Sequence, residues 1–210
     1  MKTLSITPSL YNSWYYYVNA SQEYRDKAYN DFMHVLEKIT TSPTAAMQLG
    51  LDYEQKLQAL SEKRNKGLPW DDNDKDVPDI DKEIAELLQN CIWQMTVQED
   101  VQIAGQGNVR IYGRIDAYDP FTQTIYDLKR TSSAYKPAMY SYSIQHLIYM
   151  KCLAANKFRY IVRTNSNTLY TDDYININVD EQLNQKLDEF LFWVQSNPEI
   201  DKVYRKKWRR

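Results

Sequence analysis

Apolar residues first recur at helical spacing. Tyr11, Trp14, Tyr15 and Val18 form one stripe behind Thr7-Pro8, a capping residue followed by a proline suited to a first turn. Residues 22–39 repeat the pattern with Ala28, Phe32, Val35, Leu36 and Ile39. A third helix is expected to open at Ser42-Pro43 and to run through Ala45, Met47, Leu49, Leu57 and Leu60. Its Gly50 costs about 1 kcal/mol relative to alanine in a helix and is expected to admit another backbone closely. Glu54 lies nearly above Leu57, which would turn it toward whatever the apolar face covers. A solvated helix glutamate is the plainer alternative.

Residues 65–81, with Gly67, Pro69, Pro78 and six aspartates, predict a polar acidic loop, an insertion or a mobile flap. Residues 80–95 read as a helix and 96–104 as a strand, joined by the turn Gly105-Gln106-Gly107 to a hairpin. No helix follows those glycines, so they make no phosphate-binding loop. Then come a helix over 142–155, strands over 157–164 and 168–177, a helix over 180–195 and a short basic helix over 199–208. This order predicts an α/β or α+β fold with a central mixed sheet, built as one domain over residues 1–210.

The hairpin carries the chemistry. Val109, Ile111, Ile115 and Ala117 alternate with polar residues, Asp119-Pro120 marks a turn, and Ile125 to Leu128 resumes the strand. Side chains two apart share a face, so Arg114, Asp116 and Tyr118 point one way. If 119–122 form the turn, Tyr118 pairs with Gln123 and Asp116 with Ile125. Asp127 then lies one diagonal step from Asp116, roughly 7 Å away, with Lys129 next along. A one-residue slip would separate the two acids. Carboxylates about 4 Å apart repel by on the order of 4 kcal/mol at an effective dielectric near 20, which calls for a cation or a proton between them. Oxygen-only donors suit Mg²⁺ or Mn²⁺. A solvated strand face with scattered charges is the bland reading.

With 210 residues, 43% hydrophobic and 13% aromatic, the chain can bury a core and is not globally disordered. Its 18 tyrosines suit cores and stacking surfaces alike. Cys91 and Cys152 are too few for a four-thiolate cluster. No signal-like start and no long apolar run appears, so a soluble cytoplasmic protein is expected. The net charge of −2 hides an asymmetry: residues 128–171 contain no acid, while Lys129, Arg130, Lys136, Lys151, Lys157, Arg159 and Arg163 fall there. The end of the chain adds Arg205, Lys206 and Lys207 among Tyr204 and Trp208. Such a pattern suits a phosphate backbone with stacked bases, or simply a solvated terminal helix.

Gly113-Arg114-Ile115-Asp116, then Asp127-Leu128-Lys129, then Gln145-His146-Leu147-Ile148-Tyr149 resemble, in order, the motifs of the PD-(D/E)XK nuclease superfamily, in its RecB-type and phage exonuclease branch. Gly50 to Glu54 resembles that branch's first motif, and Ile6 to Trp14 the start of many such domains. Ile115 stands where the superfamily's proline would precede Asp116, and the iron–sulfur cysteines of some relatives are missing.

The resemblance implies a restriction-endonuclease-like core and a metal-dependent DNA nuclease, an exonuclease in DNA recombination, repair or phage DNA processing, in a bacterial or phage-infected cell. Glu54, Asp116, Asp127 and the Leu128 carbonyl would hold Mg²⁺ or Mn²⁺. Lys129 would orient or help deprotonate the attacking water, and Gln145 and Tyr149 would fix the scissile phosphate or the lysine. His146 would be structural. DNA would meet Arg130, Lys136, Lys151, Arg205, Lys206 and Lys207. A homo-oligomer or a single-strand annealing partner would be in keeping with that branch. Two rivals stay open: a catalytically inactive nuclease-fold binding module, and an interaction protein using its tyrosine-rich surface.

Overall fold

The longest strand, β3 (Gly107–Asp119), organises a mixed six-stranded sheet in the computed structural model, which describes the chain apart from residues 1–2, 132–134, 137–139, 167 and 210. Strand β2 (Ile92–Ile103) runs antiparallel along one edge of β3, from Ile103↔Gly107 to Ile92↔Tyr118. The other edge is shared. Strand β1 (Leu4–Ile6) pairs parallel with Val109 to Ile111, and β4 (Thr124–Thr131) pairs antiparallel with Ala117 to Asp119. Among the described residues, positions 112–116 of β3 have no strand on that edge. Strand β5 (Lys157–Thr164) is parallel to β4 along its length, and β6 (Leu169–Ile175) closes the sheet antiparallel to β5.

Helices cover both faces. Alternation along β4 and β5 divides the apolar side chains: Ile125, Phe158, Tyr160 and Val162 enter a large core, while Tyr126, Leu128 and Ile161 enter a smaller one. The large core takes side chains of α1 (Pro8–Asn19), α2 (Arg25–Leu36), α5 (Gln145–Leu153), α6 (Val179–Gln195) and α7 (Pro198–Lys207). The small one takes Tyr53 and Leu57 of α3 (Ala45–Asn65) and Ile84 of α4 (Asp79–Leu87).

Several local expectations hold. Thr7 Oγ1 accepts from Leu10 N with Pro8 in the first turn, and β5 has the expected bounds. Others need correction. Helix α2 stops at Leu36 because Lys38 takes a left-handed backbone and the Ile39 N–H turns back to His34 O, leaving Ile39 48% exposed. Thr44, not Ser42, caps α3. A Cβ at Gly50 would meet nothing within 4 Å, so no backbone comes close there. Helix α4 ends at Leu87, and residues 92–95 are already strand.

The acidic segment is tied to α3 and the sheet by ion pairs. Lys63 pairs with Asp71 at 3.0 Å and with Asp74, and buried Asp81 binds Arg163 at 2.5 Å and Lys56 at 3.1 Å. At the other end, Tyr204 and Trp208 are buried, with Tyr204 Oη donating to Ser5 O and Trp208 Nε1 to Leu36 O. Neither ring is available for stacking on bases. Strand β1, too short for its alternation to register in the sequence, is held by this packing, its Ser5 N–H donating to Trp208 O.

Candidate active site

The site lies where the β3 edge is vacated between β1 and β4. Asp119 Oδ1 accepts the Phe121 N–H, Gln123 takes a left-handed backbone, and Tyr118 pairs with Ile125. The register is therefore two residues from the expected one. A shift of two preserves facing, so Asp116 and Asp127 still share a face, now directly across from one another one step beyond the Ala117↔Tyr126 pair. There the ladder gives way to a side chain: Leu128 N–H donates to Asp116 Oδ2 at 2.8 Å.

Asp127 is buried, with Oδ1 hydrogen-bonded and Oδ2 ion-paired but without a hydrogen-bond partner. Oδ2 lies 2.5 Å from Lys129 Nζ, and Oδ1 accepts from Gln145 Nε2. One helical turn after Gln145, Tyr149 Oη donates to Arg114 O at 2.9 Å, reaching the stretch of β3 that pairs only with β2 among the described residues. This approach depends on Gly113, where a Cβ would stand 2.5 Å from Tyr149 Cε1 and 2.9 Å from Oη. The close approach expected at Gly50 thus occurs at Gly113. Helix α5 is itself set by α1: Asn12 Oδ1 accepts the Ile144 N–H and Asn12 Nδ2 donates to Ser143 Oγ.

Glu54 comes from α3, half-buried, with Oε1 buried and unpartnered. Its pKa is raised, by burial first and then by Asp127, against the lowering effects of Arg114 and Lys129. Asp116 is held well above the usual carboxylate range by burial, then by Asp127 and Glu54, which outweigh Lys129 and the Leu128 N–H. For Lys129, burial works downward but Asp127 and Asp116 overcome it and keep the ammonium form favoured.

Sequence reasoning missed Gln94. It sits on β2 between the pairs Trp93↔Ala117 and Met95↔Ile115, hence opposite Asp116, with φ +56°. Trp93 and Ala117 pack in the small core, Met95 and Ile115 in the large one, so both strands pass from one core to the other here. Only the backbone conformation betrays the position. The sequence around it reads as the end of a helix.

The remaining candidates lie elsewhere. Arg130 is on the opposite face of β4, its guanidinium 5.7 Å from the Tyr53 ring and donating to Thr164 O. Lys151 pairs with Asp180 at 2.9 Å and faces Glu99 at 3.6 Å. Arg205 pairs with Asp201 at 2.6 Å, while Lys136, Lys206 and Lys207 are exposed. The acid-free block is thus largely neutralised by acids from outside it, Arg159 and Lys157 both facing Asp173. His146 is buried and stacked on Tyr174, and burial lowers its pKa to about 4. Burial pushes the thiols of Cys91 and Cys152 up to about 12.

Among the described residues, no three acidic, histidine or cysteine side chains stand close enough together to hold a metal ion, and Lys129 and Gln145 lie against the Asp127 oxygens. The donor set still fits a hard divalent cation. It is all oxygen, Glu54 Oε1 has no hydrogen-bond partner, and the repulsion from Asp127 and Glu54, which adds to burial in raising Asp116, is what a cation would relieve.

The fold is similar to several solved structures. SSO0001 matches with a TM-score of 0.56 at 11% identity, over 91% of this chain and 78% of that one. The alkaline exonuclease LHK-Exo from Laribacter hongkongensis matches at 0.52 and 14% identity, over 96% and 92%. A phage-related exonuclease from Haemophilus somnus matches at 0.50 and 11% identity, over 97% and 95%. These likenesses place the architecture among restriction-endonuclease-like α/β nucleases. No curated protein sequence matches this one. The sequence model of one family does match, over residues 23–206, and with it the chain belongs to the PD-(D/E)XK nuclease superfamily, whose members generally use divalent metal ions.

Proposed function

We propose that this protein is a Mg²⁺- or Mn²⁺-dependent deoxyribonuclease that degrades DNA from its ends, with residues 1–210 acting as one unit. The observation that carries the reading is the convergence of Glu54 from α3, Asp116 from β3, Asp127 and Lys129 from β4, and Gln145 and Tyr149 from α5 on one sheet edge. The fold shared with the alkaline and phage-related exonucleases supports action at ends. Tyr204 bonded to Ser5 joins the two termini and supports a single unit.

Glu54, Asp116, Asp127 and the Leu128 carbonyl would hold the cation, which when bound supplies Lewis acidity and a water of lowered pKa. Lys129, kept protonated by Asp127 and Asp116, acts as a fixed positive charge for the phosphate oxygens rather than as a base. Gln145 orients Asp127, and Tyr149 holds β3 in place through the Arg114 carbonyl, so both position the acids.

The test compares end-labelled linear DNA with covalently closed DNA, with and without Mg²⁺. Wild type is expected to consume only the linear form. Lys129→Ala should lose about 10²–10³-fold in kcat, the usual cost of removing one transition-state charge partner. Asp116→Ala should be inactive. Undiminished activity in both variants refutes the assignment, and equal cutting of closed circles refutes action from ends.

A further inference from the structure

We propose that Gln94 is a further ligand of the cation, through its side-chain amide oxygen, beside Glu54 and Asp116; this rests on the metal-dependent reading above. Gln94 and Glu54 line one cavity of about 190 Å³. Gln94 Oε1 and Glu54 Oε1 are both buried without a hydrogen-bond partner. Buried polar atoms are almost always paired, and two unpaired oxygens on residues that line one cavity ask for a common partner that accepts electron pairs. Arg114 lines the same cavity and does not donate to the Gln94 oxygen.

The strand register supplies a second, independent line. Gln94 lies between the residues paired with Ala117 and Ile115, which brings its backbone alongside Asp116 on the neighbouring strand. An amide oxygen is a hard donor of the kind Mg²⁺, Mn²⁺ and Ca²⁺ accept. Being neutral, it enlarges the oxygen shell without adding to the repulsion among Glu54, Asp116 and Asp127. The backbone bears a cost to place it: φ +56° is a region that glutamine seldom occupies, and residues held in such regions cluster at functional sites.

The experiment titrates Mn²⁺ into the full chain by calorimetry, without DNA, for wild type, Gln94→Gly, Gln94→Glu and Asp116→Ala. Glycine accepts the left-handed backbone without strain, so Gln94→Gly deletes the amide while keeping the fold, checked by thermal unfolding in chelator. Gln94→Gly should weaken Mn²⁺ binding about tenfold, or about 1.4 kcal/mol. Gln94→Glu, which keeps an oxygen and adds charge, should bind at least as tightly as wild type, and Asp116→Ala should not bind. Wild-type affinity in Gln94→Gly, or a loss in Gln94→Glu as large as in Gln94→Gly, overturns the inference while leaving the metal site itself intact. A wild type that takes up no Mn²⁺ overturns both.

Discussion

Replacing Gly113 with alanine places a methyl group where the Tyr149 ring now lies. The added Cβ would sit 2.5 Å from Cε1, 2.9 Å from Oη and 3.1 Å from Cζ, against an ordinary carbon contact of about 3.5–4.0 Å. The ring must therefore retreat by about 1 Å, and its hydrogen bond to Arg114 O stretches or breaks. Overpacking of this kind costs about 1–3 kcal/mol and a lost hydrogen bond about 1 kcal/mol. Gly113 has no positive φ, so alanine also gains about 0.4–1 kcal/mol by restricting the unfolded chain. The net expectation is a loss of about 1–3 kcal/mol in urea unfolding. A double-mutant cycle isolates the cause. With Tyr149→Ala the methyl has nothing to strike, so Gly113→Ala should become neutral or stabilising, a coupling of about 1–3 kcal/mol. An equal cost of Gly113→Ala in both backgrounds would refute the reasoning. The same variant should lower nuclease activity, because Tyr149 holds the strand that carries Asp116.

Asp116 and Glu54 have raised folded pKa values, so folding favours their protons; that stabilisation is full below the unfolded carboxylate pKa and disappears as pH climbs through the folded value. In chelator, Asp116→Asn should flatten the resulting fall in melting temperature above about pH 4 and raise stability at neutral pH, and an unchanged profile would contradict this. Ending the chain after Val203 removes Tyr204 and Trp208 from the core; Trp208 alone is worth about 3–5 kcal/mol, so calorimetry should show severe destabilisation. Lys206→Ala with Lys207→Ala should instead leave melting unchanged and reduce the salt slope of DNA binding by about 1–2, an unaltered slope excluding the tail from the interface. Arg163→Met strips buried Asp81 of its nearest cation and should cost about 3–5 kcal/mol in urea unfolding, with a loss below about 1 kcal/mol showing that Lys56 suffices.

What the sequence determined by itself were relations among neighbours along the chain. Thr7 before Pro8 caps a helix, residues 157–164 form a strand, and Gln145 and Tyr149 share one helical face. Even the hairpin's facing survived a misplaced turn, because the error was two residues and side chains on a strand repeat every two. Tertiary structure decided what depends on partners distant in the chain. Gly50 and Gly113 look alike until Tyr149 is seen to need only one of them. The acid-free block is basic in sequence and mostly paired in space, since Asp173, Asp180 and Glu99 return to it from outside. Tyr204 and Trp208 could be surface stacking residues by pattern alone, but contacts with Ser5 and Leu36 bury them. Gln94 takes a left-handed backbone alongside Asp116, where β2 and β3 pass between two cores, and no local signal in the sequence marks it.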